Sequence, residues 1–168
     1  ATASVDLSEI NGGAVLTGLT DITISNGATG ATVTMLASQV DGLDIDVVGV
    51  AGGGAETLAL NGAASADAVD LSELNLETEA VLTVDAGAGD DAITANADGG
   101  TFTGGAGADT ITGGAGDDII SYADVTTSSS HSLANLTGVA VNLSDSDVTS
   151  ATVTSAMGGT VALGGGNG

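Results

Sequence analysis

The chain of 168 residues contains no cysteine, proline, tryptophan, lysine or arginine, and it has one Tyr, one Phe and one His. The absence of cysteine excludes disulfides as a means of stabilising the fold. Aromatic residues make up 1% of the chain, and the hydrophobic 42% is rich in alanine with scattered Val, Leu and Ile. This composition favours a thin stack of aliphatic side chains over a rounded core. No run of about eighteen apolar residues occurs, so we expect no membrane insertion.

The charge of the chain has one sign only. Its 22 acidic residues give a formal net charge of −22, and neither Lys nor Arg is present to pair with them. Self-repulsion of this size destabilises a compact state unless cations bind. Neutralisation of phosphates requires Lys or Arg, so we expect no nucleic-acid partner.

Four consecutive nonapeptides run in one frame from Ala86 to Ser121, and they read AGAGDDAIT, ANADGGTFT, GGAGADTIT and GGAGDDIIS. The first six residues of each predict a turn, here named turn 1 (86–91), turn 2 (95–100), turn 3 (104–109) and turn 4 (113–118). Glycines accept the positive φ of tight turns. An aspartate at position six supplies a hard oxygen ligand of the kind calcium prefers. The apolar residue at position eight is expected to point into the core from a short strand.

The pattern G-G-x-G-x-D-x-U-x resembles the calcium-binding repeat of RTX (repeats-in-toxin) proteins. The resemblance covers about 36 residues strongly and implies an all-β chain, a right-handed parallel β-solenoid (β-helix) that contains an RTX calcium β-roll. It also implies Ca²⁺ as the bound ion and a bacterial source. Proteins of this family are exported unfolded and fold in millimolar external calcium, so we expect a secreted protein, extracellular or on the cell surface.

The resemblance further implies two kinds of ion site, because two nonapeptides complete one coil and ions lie between turns on the same side. Turn 1 then faces turn 3, and Asp91 and Asp109 share an ion. Turn 4 faces turn 2, which has glycine where the family has aspartate. Either Asp98 replaces that missing carboxylate or the second site is weak or empty. The expected ligands are Asp91, Asp109 and Asp118, the glycines Gly87, Gly89, Gly105, Gly107, Gly114 and Gly116, and Asp98.

The rest of the chain is also predicted to be strand-rich. From Ile22 onward, short alternating segments precede the nonapeptides at intervals of roughly eleven to thirteen residues, and residues 1–85 are interpreted as a β-solenoid with wider coils. An antiparallel sandwich stays open for the first 80 residues. The segment 61–70 looks like an eroded RTX turn and strand without the glycines at positions two and four, and no metal is assigned to it. Residues 122–168 are interpreted as a C-terminal β region that continues or assembles further.

Nothing in the sequence predicts catalysis. His131 is the only imidazole and falls in a Ser/Thr-rich stretch predicted to be a surface loop, so we expect no catalytic residue, no enzyme activity and no other cofactor. The leading hypothesis is a non-catalytic secreted structural module that folds on calcium and forms a homo-oligomer or polymer: a surface layer, filament, matrix or adhesin. The alternative is a calcium-dependent secretion and folding module of a larger RTX exoenzyme. A third hypothesis is a face for ice or glycan built from Thr94, Thr103 and Thr112.

Overall fold

The computed structural model describes residues 3–9, 12, 14–24, 30–50, 54–121, 129–134, 137–143, 148–153 and 160–163, and for the last four segments the backbone only. The strands are β1 (Ala3–Asp6), β2 (Asp21–Ile24), β3 (Ala31–Leu36), β4 (Ile45–Gly49), β5 (Glu56–Asn61), β6 (Ala68–Asp70), β7 (Leu74–Leu76), β8 (Ala80–Asp85), β9 (Ala92–Thr94), β10 (Gly99–Thr103), β11 (Thr110–Thr112), β12 (Asp117–Ser121), β13 (Ser129–Ala134), β14 (Thr137–Leu143), β15 (Val148–Val153) and β16 (Thr160–Leu163). One short helix, α1 (Ala37–Val40), follows β3. Within these segments, no helix is long and apolar enough to cross a bilayer.

The strands form three sheets, and every strand pairing in the described segments is parallel. The largest sheet has the order β1-β3-β5-β8-β10-β12-β14-β16, the second β15-β13-β11-β9-β6 and the third β2-β4-β7. Successive strands of the chain therefore lie in different sheets, and every pairing joins strands that are not consecutive in the chain. The prediction of an all-β, parallel chain is confirmed. The antiparallel sandwich considered for the first 80 residues is wrong, because β1, β3, β5 and β8 pair in parallel.

The core consists of aliphatic side chains aligned from strand to strand. Leu60 of β5 pairs with Val84 of β8, which pairs with Phe102 of β10 and through it with Ile120 of β12, and all four are buried. Because side chains alternate across a strand, equal register keeps one apolar row inside the molecule. The residue at position eight of each nonapeptide is buried as predicted: Ile93, Phe102, Ile111 and Ile120.

Three local features differ from the sequence interpretation. Strand β7 and helix α1 were not expected. The amide of Gln39 in α1 is buried; its Oε1 accepts from the Leu36 N–H at 2.8 Å and its Nε2 donates to the Leu7 carbonyl at 3.1 Å. His131 was predicted to lie in a loop but belongs to β13, which pairs with β11 and β15. Short polar segments such as this one become strands when a neighbouring strand offers backbone partners.

The threonines at position nine do not form one ladder. Thr94 pairs with Thr112 in the five-stranded sheet, whereas Thr103 lies in the eight-stranded sheet opposite Asp85 and Ser121. Because consecutive nonapeptides alternate between the two sheets, a repeat of nine residues places their threonines on different faces. The hypothesis that Thr94, Thr103 and Thr112 form a single binding surface is therefore wrong.

Candidate cation site

Turn 1 lies directly against turn 3. The Ala106 N–H donates to the Gly87 carbonyl at 2.9 Å, and the Gly89 N–H donates to the Ala106 carbonyl at 2.8 Å. A parallel bridge joins Ala88 to Ala106. The structure thus brings together the two turns that the sequence paired.

The close approach of the two turns requires glycine in turn 3. Gly105 and Gly107 have φ of +86° and +136°, a region that residues with a Cβ rarely adopt. A Cβ at Gly105 would collide with the Gly87 carbonyl oxygen, and one at Gly107 with the Gly89 carbonyl oxygen. The predicted glycine ligands therefore lie where two backbones meet, with carbonyl oxygens directed from turn 1 onto turn 3.

Turns that stack on the same side of the molecule are named here the column of turns. The aspartates of turns 1 and 3 are both buried in this column. Oδ1 of Asp109 accepts from the Asp91 N–H at 3.1 Å, so the Asp109 carboxylate lies between the two turns. Oδ1 of Asp91 in its turn accepts from the Asp67 N–H at 2.8 Å. Asp91 and Asp109 are 2% and 1% exposed. The Asp91 carboxylate therefore faces residues 62–67, the turn that lies before turn 1. The sharing of one ion by Asp91 and Asp109 stays a prediction.

Turn 4 lies against turn 2 on the other side of the nonapeptide segment. Asp118 pairs with Gly100 in the register of β12 and β10, as the sequence predicted. Oδ2 of Asp118 accepts from the Gly114 N–H at 3.2 Å, which closes turn 4. A Cβ at Gly114 would collide with the Asn96 carbonyl oxygen, and one at Gly116 with the Asp98 carbonyl group. Backbone carbonyls of turn 2 are thus directed onto turn 4.

The side chain of Asp98 does not take the place of the missing aspartate. It is exposed, and its Oδ2 accepts from the Leu76 N–H at 2.8 Å, where it caps the edge strand β7. Asn96, which the sequence interpretation did not select, is fully buried, and neither its Oδ1 nor its Nδ2 has a hydrogen-bond partner. In the sequence, Asn96 is distinguished only by its place at position two of the second nonapeptide, where the repeat has glycine. Asn96 is therefore a better candidate than Asp98 to supply a side-chain oxygen between turns 2 and 4.

Burial raises the pKa of two aspartates in these turns. For Asp118, desolvation raises the pKa to about 6, the hydrogen bond from Gly114 opposes the shift, and the charge of Asp117 adds to it. Desolvation also raises the pKa of Asp91, against the hydrogen bond from Asp67 and with the charges of Asp109, Asp67 and Asp90. Both carboxylates are therefore costly to ionise in the metal-free fold.

The raised pKa of Asp118 predicts a pH dependence of stability in the absence of metal. The folded pKa of about 6 exceeds the ordinary 3.8, so the folded state holds the proton more tightly than the unfolded chain. The contribution of Asp118 to the free energy of unfolding should be full below about pH 4 and lost as the pH rises through 6.

Urea unfolding in EDTA at several pH values between 4 and 7 measures this effect, with Asp118→Asn as the non-titrating variant. We expect wild type to lose stability relative to Asp118→Asn over this range, and the exposed-site control Asp44→Asn to follow wild type. Parallel curves for wild type and Asp118→Asn would contradict the assignment.

The arrangement can hold hard cations through oxygen ligands. The buried carboxylates of Asp109 and Asp118, the buried amide of Asn96 and backbone carbonyls lie on turns that contact each other, and oxygens of these kinds are the ligands that calcium takes. No group of three or more His, Cys, Asp or Glu side chains suited to a metal occurs in the described segments, so backbone carbonyls would have to supply part of each shell. No protein family, curated protein or solved structure was found to match the chain.

Proposed function

We propose that the chain is a calcium-dependent structural module: a right-handed parallel β-solenoid whose segment 86–121 is an RTX-type β-roll. Calcium would bind between turns 1 and 3 and between turns 2 and 4. The module would be secreted by a bacterium, fold on meeting external calcium and build a surface layer, filament, matrix or adhesin. It would carry no catalytic activity of its own.

The observation that carries this proposal is the burial of carboxylate oxygens without donors. Oδ1 of Asp118, a proposed ligand between turns 2 and 4, and Oδ2 of Asp91, whose carboxylate faces the turn before turn 1, are buried and have no hydrogen-bond partner. Burying an ionised carboxylate without a partner is very costly, and the chain has no Lys or Arg to compensate. A divalent cation would satisfy these oxygens and offset part of the net charge. Binding free energy would then contribute to folding free energy.

The ligands proposed for each ion follow from the contacts of the turns. Between turns 1 and 3 they are the Asp109 carboxylate and the carbonyls of Gly87 and Gly89, with Gly105 and Gly107 allowing the approach. Between turns 2 and 4 they are the Asp118 carboxylate, the side-chain oxygen of Asn96 and the carbonyls directed at Gly114 and Gly116. Asp98 supports this second site through its backbone carbonyl only.

Assembly into a polymer is supported by the sheet edges. In the described part of the chain, β1 and β16 are the outermost strands of the eight-stranded sheet. Edge strands present backbone groups to another chain, and stacked repeats join end to end by the same pairing. A homo-oligomer or longer filament is therefore the preferred form, with calcium and further copies of the chain as partners. The alternative, a folding module of a larger exoenzyme, needs no such association.

A calcium titration of the metal-free full chain tests the proposal. Far-UV circular dichroism and light scattering are recorded together from EDTA to about 10 mM calcium, because extracellular calcium sites have dissociation constants of about 10⁻⁴ to 10⁻³ M. Magnesium, which prefers strict octahedral geometry, is the control. We expect β structure to increase with calcium and not with magnesium.

The two readouts separate the hypotheses. Growth of scattering with the β signal supports an assembling structural protein. A β transition without growth of scattering supports the exoenzyme module. Unchanged β content, together with no calcium binding by calorimetry, would overturn the calcium-dependent function.

A further inference from the structure

The early turn, residues 62–67, lies next to turn 1 in the column of turns, although it lacks the complete glycine-rich motif. It reads GAASAD, with Asp67 four residues after Ala63. Oδ2 of Asp67 accepts from the Ala63 N–H at 2.5 Å, and Oδ2 of Asp118 accepts from the Gly114 N–H in turn 4 with the same spacing of four. The early turn is therefore closed by its aspartate as turn 4 is.

The early turn also lies on turn 1 as turn 1 lies on turn 3. The Ala88 N–H donates to the Ala63 carbonyl at 3.3 Å, and the Ala92 N–H to the Asp67 carbonyl at 2.8 Å. A Cβ at Gly87 would collide with the Ala63 carbonyl oxygen. Strand β6, which follows the early turn, pairs with β9 in the register Val69 to Ile93. The column of turns thus extends one step before the motif.

The carboxylate of Asp91 lies in the gap between these two turns. Its Oδ1 accepts from the Asp67 N–H, and its Oδ2 is buried without a hydrogen-bond partner. Asp67 is only half-buried. The Ala63 carbonyl is also directed at turn 1, where it accepts from the Ala88 N–H and lies against Gly87. These groups offer an unused buried carboxylate oxygen, a second carboxylate and a backbone carbonyl.

We infer a third calcium site between the early turn and turn 1, held by Asp91, Asp67 and the Ala63 carbonyl. The inference rests on the proposed calcium function and extends it to a turn without the repeat's glycines. Only the first position of the repeat needs glycine here: a Cβ at Gly62 would collide with the Ala86 carbonyl oxygen. Ala63 and Ser65 stand at positions two and four, and in the described segments β6, which follows this turn, is an edge strand of the five-stranded sheet. An end turn of the column can therefore bind an ion without the complete motif.

Counting bound calcium tests the third site. The full chain is titrated with calcium by isothermal calorimetry, and ions per chain are counted by native mass spectrometry. Asp67→Asn and Asp67→Ser both remove the carboxylate and retain an oxygen able to accept from the Ala63 N–H. The control is Asp44→Asn, an exposed acid outside the column. We expect both Asp67 variants to bind one calcium fewer than wild type and the control, with β content retained in calcium.

The outcomes separate this inference from the function on which it rests. If either folded Asp67 variant binds as many ions as the control, the third site is overturned and the other sites stand. If wild type binds no calcium, the proposed function fails together with the inference. Loss of one ion in both variants, with the remaining affinities unchanged, supports the third site.

Discussion

Replacing Asp109 and Asp118 together by Asn should lower the free energy of unfolding in 10 mM calcium by about 5 kcal/mol. The variant removes one carboxylate from each proposed nonapeptide site, and a ligand at about 100 times its dissociation constant stabilises by about 2.7 kcal/mol per site. In EDTA the effect should reverse, because Asn spares the fold the cost of burying two carboxylates. Urea unfolding at pH 7 with and without calcium measures both effects.

The matched control is Asp90→Asn with Asp117→Asn, which makes the same change of charge at the exposed neighbours of position six. These two side chains are not proposed as ligands, so the control should keep most of the calcium-dependent stability. In EDTA the control should gain only from reduced self-repulsion, and less than the buried pair. Equal losses in calcium for both double variants would mean that calcium acts through general screening and would contradict the proposed sites.

Gly107→Ala should be the most damaging single substitution in the turns. At φ of +136° any Cβ is strained, and here it would collide with the Gly89 carbonyl oxygen, a backbone atom that cannot rotate away. A left-handed conformation costs about 1–2 kcal/mol in a residue with a Cβ, and overpacking costs about 1–3 kcal/mol more. Turn 3 must move away from turn 1, so calcium affinity should fall as well. Urea unfolding and calorimetric calcium titration measure the two losses.

Gly42→Ala separates strain from collision. Gly42 has a φ of +63° but nothing within 4 Å of its Cβ position, so only the conformational cost of about 1–2 kcal/mol applies. We expect this variant to bind calcium as wild type does. If Gly107→Ala loses no more stability than Gly42→Ala, turns 1 and 3 do not approach in solution as closely as the structure places them.

Much of the candidate site could be predicted from the nine-residue period. The period identifies position six as the acidic side chain and position eight as the core residue, and Asp91, Asp109, Asp118 and Phe102 are all buried. It also predicts which turns meet, since turns 1 and 3 lie 18 residues apart. It could not predict Asn96, because an amide in place of glycine looks like erosion of the motif until its burial is known. The segment 61–70 is recognisable as an eroded turn and strand, but no metal is assigned to Asp67 from the sequence because the turn lacks the glycines at positions two and four and lies 24 residues before turn 1, outside the period.

The sequence alone determined the strand-rich class and the inward position of the apolar residue at position eight of each nonapeptide, because side-chain alternation is a property of the chain itself. Only the tertiary structure decided which oxygens face which gap. The carboxylate of Asp98 turns to the edge of β7, and that of Asp91 turns to the early turn. Both choices depend on backbone N–H groups more than 20 residues away, which are presented by neighbouring strands and turns and cannot be located from local spacing.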